Sequence, residues 1–257
     1  MDLGLQGKTV VVTGAGRGIG LATVRAFLAE GAHVVGGSLH ETDDMRTLAA
    51  GGDFRFVSVD LSDADGPAAL IDAVGGAIDV VVNNVGAAPA RPQGFASIDD
   101  DMWQRSLTLN LLAAVRTCRA ALPHMSAGGA IVNVTSVNSR LADPLVMDYS
   151  AAKAALLSFT KALSKEVGPG GIRVNSVSPG PVATDLWLGS GGVAETVSGA
   201  TGASPEEVRK GAASAMATGR FTRPEEVADL IAILASARLG NVTGSDFLID
   251  GGLIPTT

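Results

Sequence analysis

Tyr149 and Lys153 stand four residues apart in the run Asp148-Tyr149-Ser150-Ala151-Ala152-Lys153, and on a helix that spacing places two side chains on one face. A phenol beside an ammonium is an acid/base pair. Free tyrosine ionises near pH ~10, and drawing it three units toward neutrality takes about 4 kcal/mol of differential stabilisation of the phenolate. A fixed cation in a partly dry site supplies much of that. The same spacing also describes a solvated helix face with a snorkelling lysine. Three features favour chemistry: Tyr149 is the only tyrosine of the chain, Ser136 lies thirteen residues earlier at the end of an apolar run, and a glycine-rich turn opens the sequence.

That turn is Thr13-Gly14-Ala15-Gly16-Arg17-Gly18-Ile19-Gly20, between an apolar run and a predicted helix. Glycines permit positive backbone dihedrals and close approach of a diphosphate, and free amides at a helix start attract anions. The spacing departs from the strict dinucleotide fingerprint, because Ile19 stands where its third glycine would fall. Taken alone, the segment also reads as a tight turn without a ligand.

The elements that position these residues alternate. Apolar, β-branched runs at Thr9 to Val12, His33 to Val35, Phe54 to Val59, Val80 to Val82, Ala130 to Val134, Ile172 to Val177 and Asp246 to Ile249 predict seven strands. Helical stretches fall at Gly18 to Glu30, Asp43 to Ala50, Asp65 to Val74, Asp99 to Leu122, Asp148 to Val167 and Pro224 to Ala235. Strand-helix-strand repetition with short, fully apolar strands predicts an α/β fold: a doubly wound parallel seven-stranded sheet, Rossmann-like, with helices on both faces. Residues 1–257 read as one domain. The segment 185–220, rich in Gly, Ala, Ser and Thr, interrupts the rhythm after the sixth strand. It reads as a substrate lid with one short helix over Glu206 to Ala217 and with Trp187 and Leu188 as apolar wall. Leu111, Leu112, Val115 and Leu122, like Ala155, Leu156, Phe159 and Leu163, cannot all face one sheet. They predict either a homo-oligomer, a dimer or tetramer, or a thick helical layer within one chain.

Composition bounds the function. With 46% hydrophobic residues among 257, the chain can bury a substantial core. A formal net charge of −7 with no basic cluster argues against a nucleic-acid partner. Cys118 is the only cysteine, which excludes an intrachain disulfide and suits a reduced compartment. His33, His40 and His124 have no ligand spacing with Cys118, so no metal is expected. The N-terminus lacks a signal-peptide pattern and no apolar run reaches membrane-spanning length, so the expected address is the cytoplasm, with no membrane partner. No Gly-x-Ser-x-Gly elbow is present and no histidine is placed to serve Ser136, which excludes a serine hydrolase.

Read in chain order, Thr13-Gly14-x-x-x-Gly18-Ile19-Gly20, Asn83-Asn84-Val85-Gly86, Asn110, Ser136, Tyr149-x-x-x-Lys153 and Pro179-Gly180 resemble the short-chain dehydrogenase/reductase family over nearly the whole chain. Val85 departs from the alanine that the family most often has there. The resemblance implies that Gly14, Gly18, Ile19 and Gly20 hold a nicotinamide dinucleotide at its diphosphate end, that Asp60 and Leu61 meet the adenine, and that Asn83 and Gly86 line the adenosine ribose side. Pro179, Gly180, Val182 and Thr184 would orient the nicotinamide. It also implies that Tyr149 exchanges the proton, that Ser136 binds the same substrate oxygen, that Lys153 lowers the tyrosine pKa and holds the nicotinamide ribose, and that Asn110 retains a water linking the lysine to solvent.

Where an NAD enzyme places an acid at the end of its second strand, this chain has Ser38. With Arg17 in the glycine turn and His40 nearby, NADP is the expected cofactor, with NAD as second choice because Glu41 and Asp43 follow at once. The expected activity is interconversion of a ketone and a secondary alcohol, a small molecule, with a 3-oxoacyl thioester as one form of it. Ser136, Tyr149 and Trp187 are the expected substrate contacts. The alternative is a nicotinamide-binding regulatory or interaction protein that has lost catalysis on the same fold.

Overall fold

The computed structural model describes residues 2–255. Seven strands form one parallel sheet: β1 (Thr9–Thr13), β2 (His33–Ser38), β3 (Phe54–Ser58), β4 (Ile78–Asn83), β5 (Met125–Val134), β6 (Arg173–Pro179) and β7 (Asp246–Ile249), in the order β3-β2-β1-β4-β5-β6-β7. The chain winds outward from β1 through β2 to β3, then returns to lay β4 on the other side of β1. The crevice where the two halves part lies between β1 and β4, where ligands collect at the carboxyl ends of parallel strands.

The pleat explains why the strands are apolar throughout. Val10 and Val12 point to one face and pack with Val24, Phe27, Val227, Ile231 and Leu234. Val11 points to the other and packs with Leu70, Ile71, Ala113, Cys118 and Leu163. The first face is covered by α1 (Gly18–Ala29), α2 (Asp43–Ala49) and, later in the chain, α10 (Pro224–Ala235). The second is covered by α3 (Gly66–Asp72), α5 (Ala113–Ala121) and α6 (Met147–Val167), with α4 (Asp100–Leu107) leading into α5. The doubly wound sheet with helices on both faces is therefore the observed architecture.

Three readings of the sequence change. The predicted helix from Asp99 to Leu122 is broken by a π turn, Thr108–Leu112, between α4 and α5. The segment 185–220 is mostly helical: α7 (Asp185–Leu188), α8 (Val193–Thr201) and α9 (Pro205–Ala215) occupy it. The last is shifted from the predicted bounds because Ser204 and Glu207 form a reciprocal capping box and Pro205 starts the first turn. The apolar helix faces also divide: Leu156 and Leu163 are core, and Leu122 and Phe159 pack partly against it. Leu111, Leu112, Val115 and Ala155 are half-buried, as is the neighbouring Leu157.

Candidate active site

A cavity of about 930 Å³ runs across the carboxyl ends of the strands, and its wall includes Gly14, Arg17, Gly18, Ile19, Ser38, Asp60, Leu61, Gly86, Ser136, Tyr149, Lys153, Pro179, Gly180, Val182, Thr184 and Trp187. Its size is at the upper end of the ~300–1,000 Å³ usual for ligand clefts.

The glycine turn forms one end. Gly14 and Gly18 have φ of +66° and +55°, values that disfavour any side chain. A Cβ on Gly14 would lie 2.9 Å from Val85 Cα, and one on Gly18 would lie 3.1 Å from Thr184 Cγ2. The turn therefore sits directly against the segments after β4 and β6. The first turn of α1 has no side-chain cap and no acidic residue, which leaves its amides for an anion at the helix N-terminus. These features fit a dinucleotide diphosphate. Gly20, whose amide belongs to that first turn, is not on the cavity wall, and a Cβ there would fall 2.0 Å from the Gly14 carbonyl oxygen. Its role is to let α1 pack under the turn.

Asn83 is a correction to the sequence reading. It is buried at the end of β4, where its side-chain amide donates to Asn133 Oδ1 at 2.8 Å and contacts Cys118 Sγ, away from the cavity. The next residue faces the cavity instead. Asn84 Nδ2 donates to the carbonyls of Thr13 and Gly14, each at 3.1 Å, and so holds the glycine turn from behind. The pleat carried the signal: Asn83 follows Val81 by two residues and shares its face. Cys118, wholly buried, has its thiol pushed up to about 12 by desolvation and is inert. Asp60 accepts hydrogen bonds from the Ser62 hydroxyl and amide at 2.7 and 2.8 Å, and these hold its carboxyl below the ordinary range.

Ser136, Tyr149 and Lys153 converge beyond the end of β5. Ser136 is buried; its hydroxyl accepts from the Asn138 amide at 3.1 Å and donates to Asn138 Oδ1 at 3.2 Å. Lys153, only 3% exposed, donates from Nζ to the Val134 carbonyl at 2.8 Å. Burial draws its pKa down to about 8, so the ammonium keeps its charge at neutral pH and loses it as pH rises through that value. An ammonium has three N–H donors, and Val134 takes one. Nζ lies 5.7 Å from the centre of the Tyr149 ring. The phenol's pKa is raised, chiefly by burial, with the Ser136 hydroxyl pulling the other way. The Lys153 ammonium stands over the face of the ring.

Asn110 sits on the π turn, a helix distortion frequent at functional sites, but it is buried behind the cavity wall rather than on it. Its carboxamide accepts from the Ala87 amide at 3.0 Å and donates to the carbonyls of Ala87 and Ser106 at 2.9 and 3.1 Å. These bonds fix the strand-to-loop segment that lines the cavity at Val85 to Ala88. Asn84 was recoverable from the alternation of the strand pleat, whereas spacing in the chain offers no signal for Asn138 or for the apolar wall formed by Leu145 and Val146.

Comparison with known proteins agrees with this geometry. A family model described as enoyl-(acyl carrier protein) reductase matches residues 14–254. A cis-4-hydroxycyclohexanecarboxylate dehydrogenase of Sinomonas cyclohexanicum is 38% identical, covering 95% of this chain and 96% of its own. A 3-oxoacyl-(acyl-carrier-protein) reductase of Chlamydia pneumoniae is 32% identical over 98% and 99% of the two chains. The crystal structure of L-sorbose reductase from Gluconobacter frateurii, complexed with NADPH and L-sorbose, superposes with a TM-score of 0.90 at 32% identity, covering 100% of both chains. The chain belongs to the short-chain dehydrogenase/reductase family. It is an NAD(P)-dependent oxidoreductase acting on small-molecule ketones or alcohols. Among the described residues no helix is long and apolar enough to cross a membrane, and no cluster of side chains could hold a metal ion.

The exchange of roles between the two asparagines is directly testable. Asn84→Ala removes two bonds to the glycine turn, each worth about 1 kcal/mol, and should weaken cofactor binding about tenfold in a fluorescence titration. Asn83→Ala should leave binding within about twofold and lower unfolding stability by about 1–3 kcal/mol, read from urea denaturation. The reverse pattern would restore Asn83 to the cofactor site.

Proposed function

We propose that this enzyme uses NADP(H) to interconvert an uncharged, largely apolar ketone and its secondary alcohol, with Ser136, Tyr149 and Lys153 as catalytic residues. The observation that carries the cofactor choice lies just past β2. Glu41 and Asp43, the acids that could repel a 2′-phosphate, both pair with Arg46 outside the cavity. Ser38 and Arg17 are left on the wall there. A serine hydroxyl and a guanidinium suit a phosphate monoester.

A nicotinamide held by Arg17, Lys153 and the Pro179–Gly180 segment would supply or accept the hydride at the carbonyl carbon. In reduction, Tyr149 donates its proton to the oxygen on which charge develops, and burial keeps that proton in place until then. Ser136 donates a hydrogen bond to the same oxygen and sets its position. Lys153 directs its remaining N–H donors to the nicotinamide ribose. In oxidation the Tyr149 phenolate would accept the alcohol proton, and the buried ammonium favours that charged form. Asn110 acts as a positioning residue, by fixing the Ala87 segment.

The cations on the cavity wall are Arg17 and Lys153, and both are engaged with the cofactor in this reading. The substrate end is lined by Leu145, Val146, Trp187, Val193, Val197 and Val208. That environment suits a hydrocarbon body; the acyl chain of a 3-oxoacyl thioester is one form that meets it. The segment 185–220 acts as the lid, with Trp187 stacked edge-on against Phe221 at 5.4 Å as its apolar contact. The half-buried Leu111, Leu112, Val115 and Leu157 form the face on which a second copy packs.

Three measurements test these statements. Tyr149→Phe should lower turnover about 10²–10⁴-fold while leaving NADPH affinity within about twofold; undiminished turnover of any ketone found in an absorbance screen would remove Tyr149 from the chemistry. Fluorescence titration should show NADPH binding about tenfold tighter than NADH, the size of one charge-assisted hydrogen bond, and Arg17→Ala should erase the difference. A clear NADH preference would reverse the assignment. Light scattering should report a multiple of the 25.8 kDa chain mass, and a monomer at micromolar concentration would refute the packing face.

A further inference from the structure

A buried carboxylate at the far edge of the sheet connects two parts of the active site. Asp246, on β7, has a side chain only 4% exposed. It accepts hydrogen bonds from the Ser176 hydroxyl at 2.6 Å and from the Ser178 hydroxyl at 2.9 Å to each of its oxygens, with Thr135 Oγ1 at 3.4 Å. The Thr135 and Ser178 hydroxyls also bond each other at 2.7 Å. Thr135 immediately precedes Ser136, and Ser178 immediately precedes Pro179.

The remaining partner of Asp246 is Arg140, whose guanidinium lies 2.9 Å from Oδ2. Arg140 closes the short 3₁₀ turn Val137–Ser139, its amide donating to the Val137 carbonyl at 2.9 Å. Asn138 of that turn occupies the Ser136 hydroxyl as both donor and acceptor. The seating of a three-residue turn therefore decides where the Ser136 hydroxyl points. Removing a buried carboxylate from water is costly unless it is paired and fully hydrogen-bonded; the serine hydroxyls supply the hydrogen bonds and Arg140, its side chain 44% exposed, supplies the paired charge.

We propose that Arg140 and Asp246 are positioning residues for the reaction: their ion pair anchors the turn Val137–Ser139 to β7 and so aims the Ser136 hydroxyl into the cavity. The inference rests on the reading of Ser136 as the group that binds the substrate oxygen.

The test compares Arg140→Met and Arg140→Lys, each in the wild-type and Ser136→Ala backgrounds, with the best ketone from a cyclic and acyclic panel and NADPH. Arg140→Met should lower kcat about tenfold in the wild-type background, as expected for a small misplacement of a reacting group. Affinity for NADPH should stay within about twofold, and Arg140→Lys should recover most of the rate. In the Ser136→Ala background Arg140→Met should cost less than about twofold, because the group it aims is gone. An unimpaired Arg140→Met beside an impaired Ser136→Ala overturns the inference alone. Equal losses in both backgrounds, or no recovery with lysine, also overturn it by marking a general packing role. Ser136→Ala turning over at the wild-type rate overturns the underlying reading of Ser136, and the inference with it.

Discussion

Lys153 carries its ammonium on the interior side of α6 and donates to the carbonyl of Val134 at the end of β5. A cation in that position is tolerated only where acceptors surround it and bulk is absent. Gly86 shows the constraint from the opposite wall: a Cβ there would come 2.7 Å from Asn110 Oδ1 and 3.4 Å from Lys153 Nζ. The lysine, the glycine and the asparagine therefore fit one another as a unit. Asn110 in turn owes its reach to the π turn, which swings the carboxamide toward the Ala87 peptide. Ser136 and Tyr149 complete a polar centre whose apolar surroundings keep the phenol protonated and the ammonium close to its limit of charge.

The parallel sheet supplies the rest of the arrangement. All seven strands end on the same side, so the glycine turn after β1, Asp60 after β3, Gly86 after β4, Ser136 after β5 and Gly180 after β6 open into one cleft although they are distant in sequence. Strand pleating then sorts neighbouring residues into different roles. Asn83 joins the core against Asn133 while Asn84 supports the glycine turn, and Thr135 joins a hydroxyl network while Ser136 faces the cavity. A register slip of one residue would exchange these roles.

The segment between β6 and α10 forms one side of the cleft. Its three helices are short and carry Leu186, Trp187, Val193, Val197 and Val208 onto the cavity wall, while Leu188, expected there, is off it and exposed. Short elements with exposed apolar side chains sit at the low-stability end of a fold, where lids are found. The cofactor end is built differently, from rigid turns and strand termini.

Much of this was legible in the chain. Apolar runs of strand length, separated by amphipathic stretches, point to a parallel sheet covered by helices, because a strand apolar on both faces must be buried on both. Tyr149 and Lys153 on one helix, Ser136 at a strand end and the Gly14–Gly20 turn dictate the chemistry, because each depends on local spacing. The sequence alone did not show that Gly20 packs under its turn, that Asn84 bonds to the glycine turn, that Arg46 draws Glu41 and Asp43 away from the cofactor, or that Asp246 organises the far edge. The Asn84 and Asp246 contacts join residues 68 to 111 positions apart, which only the folded sheet brings within bonding distance; those of Gly20 and Arg46 are near in the chain but depend on how the turn and α2 pack, which spacing does not specify.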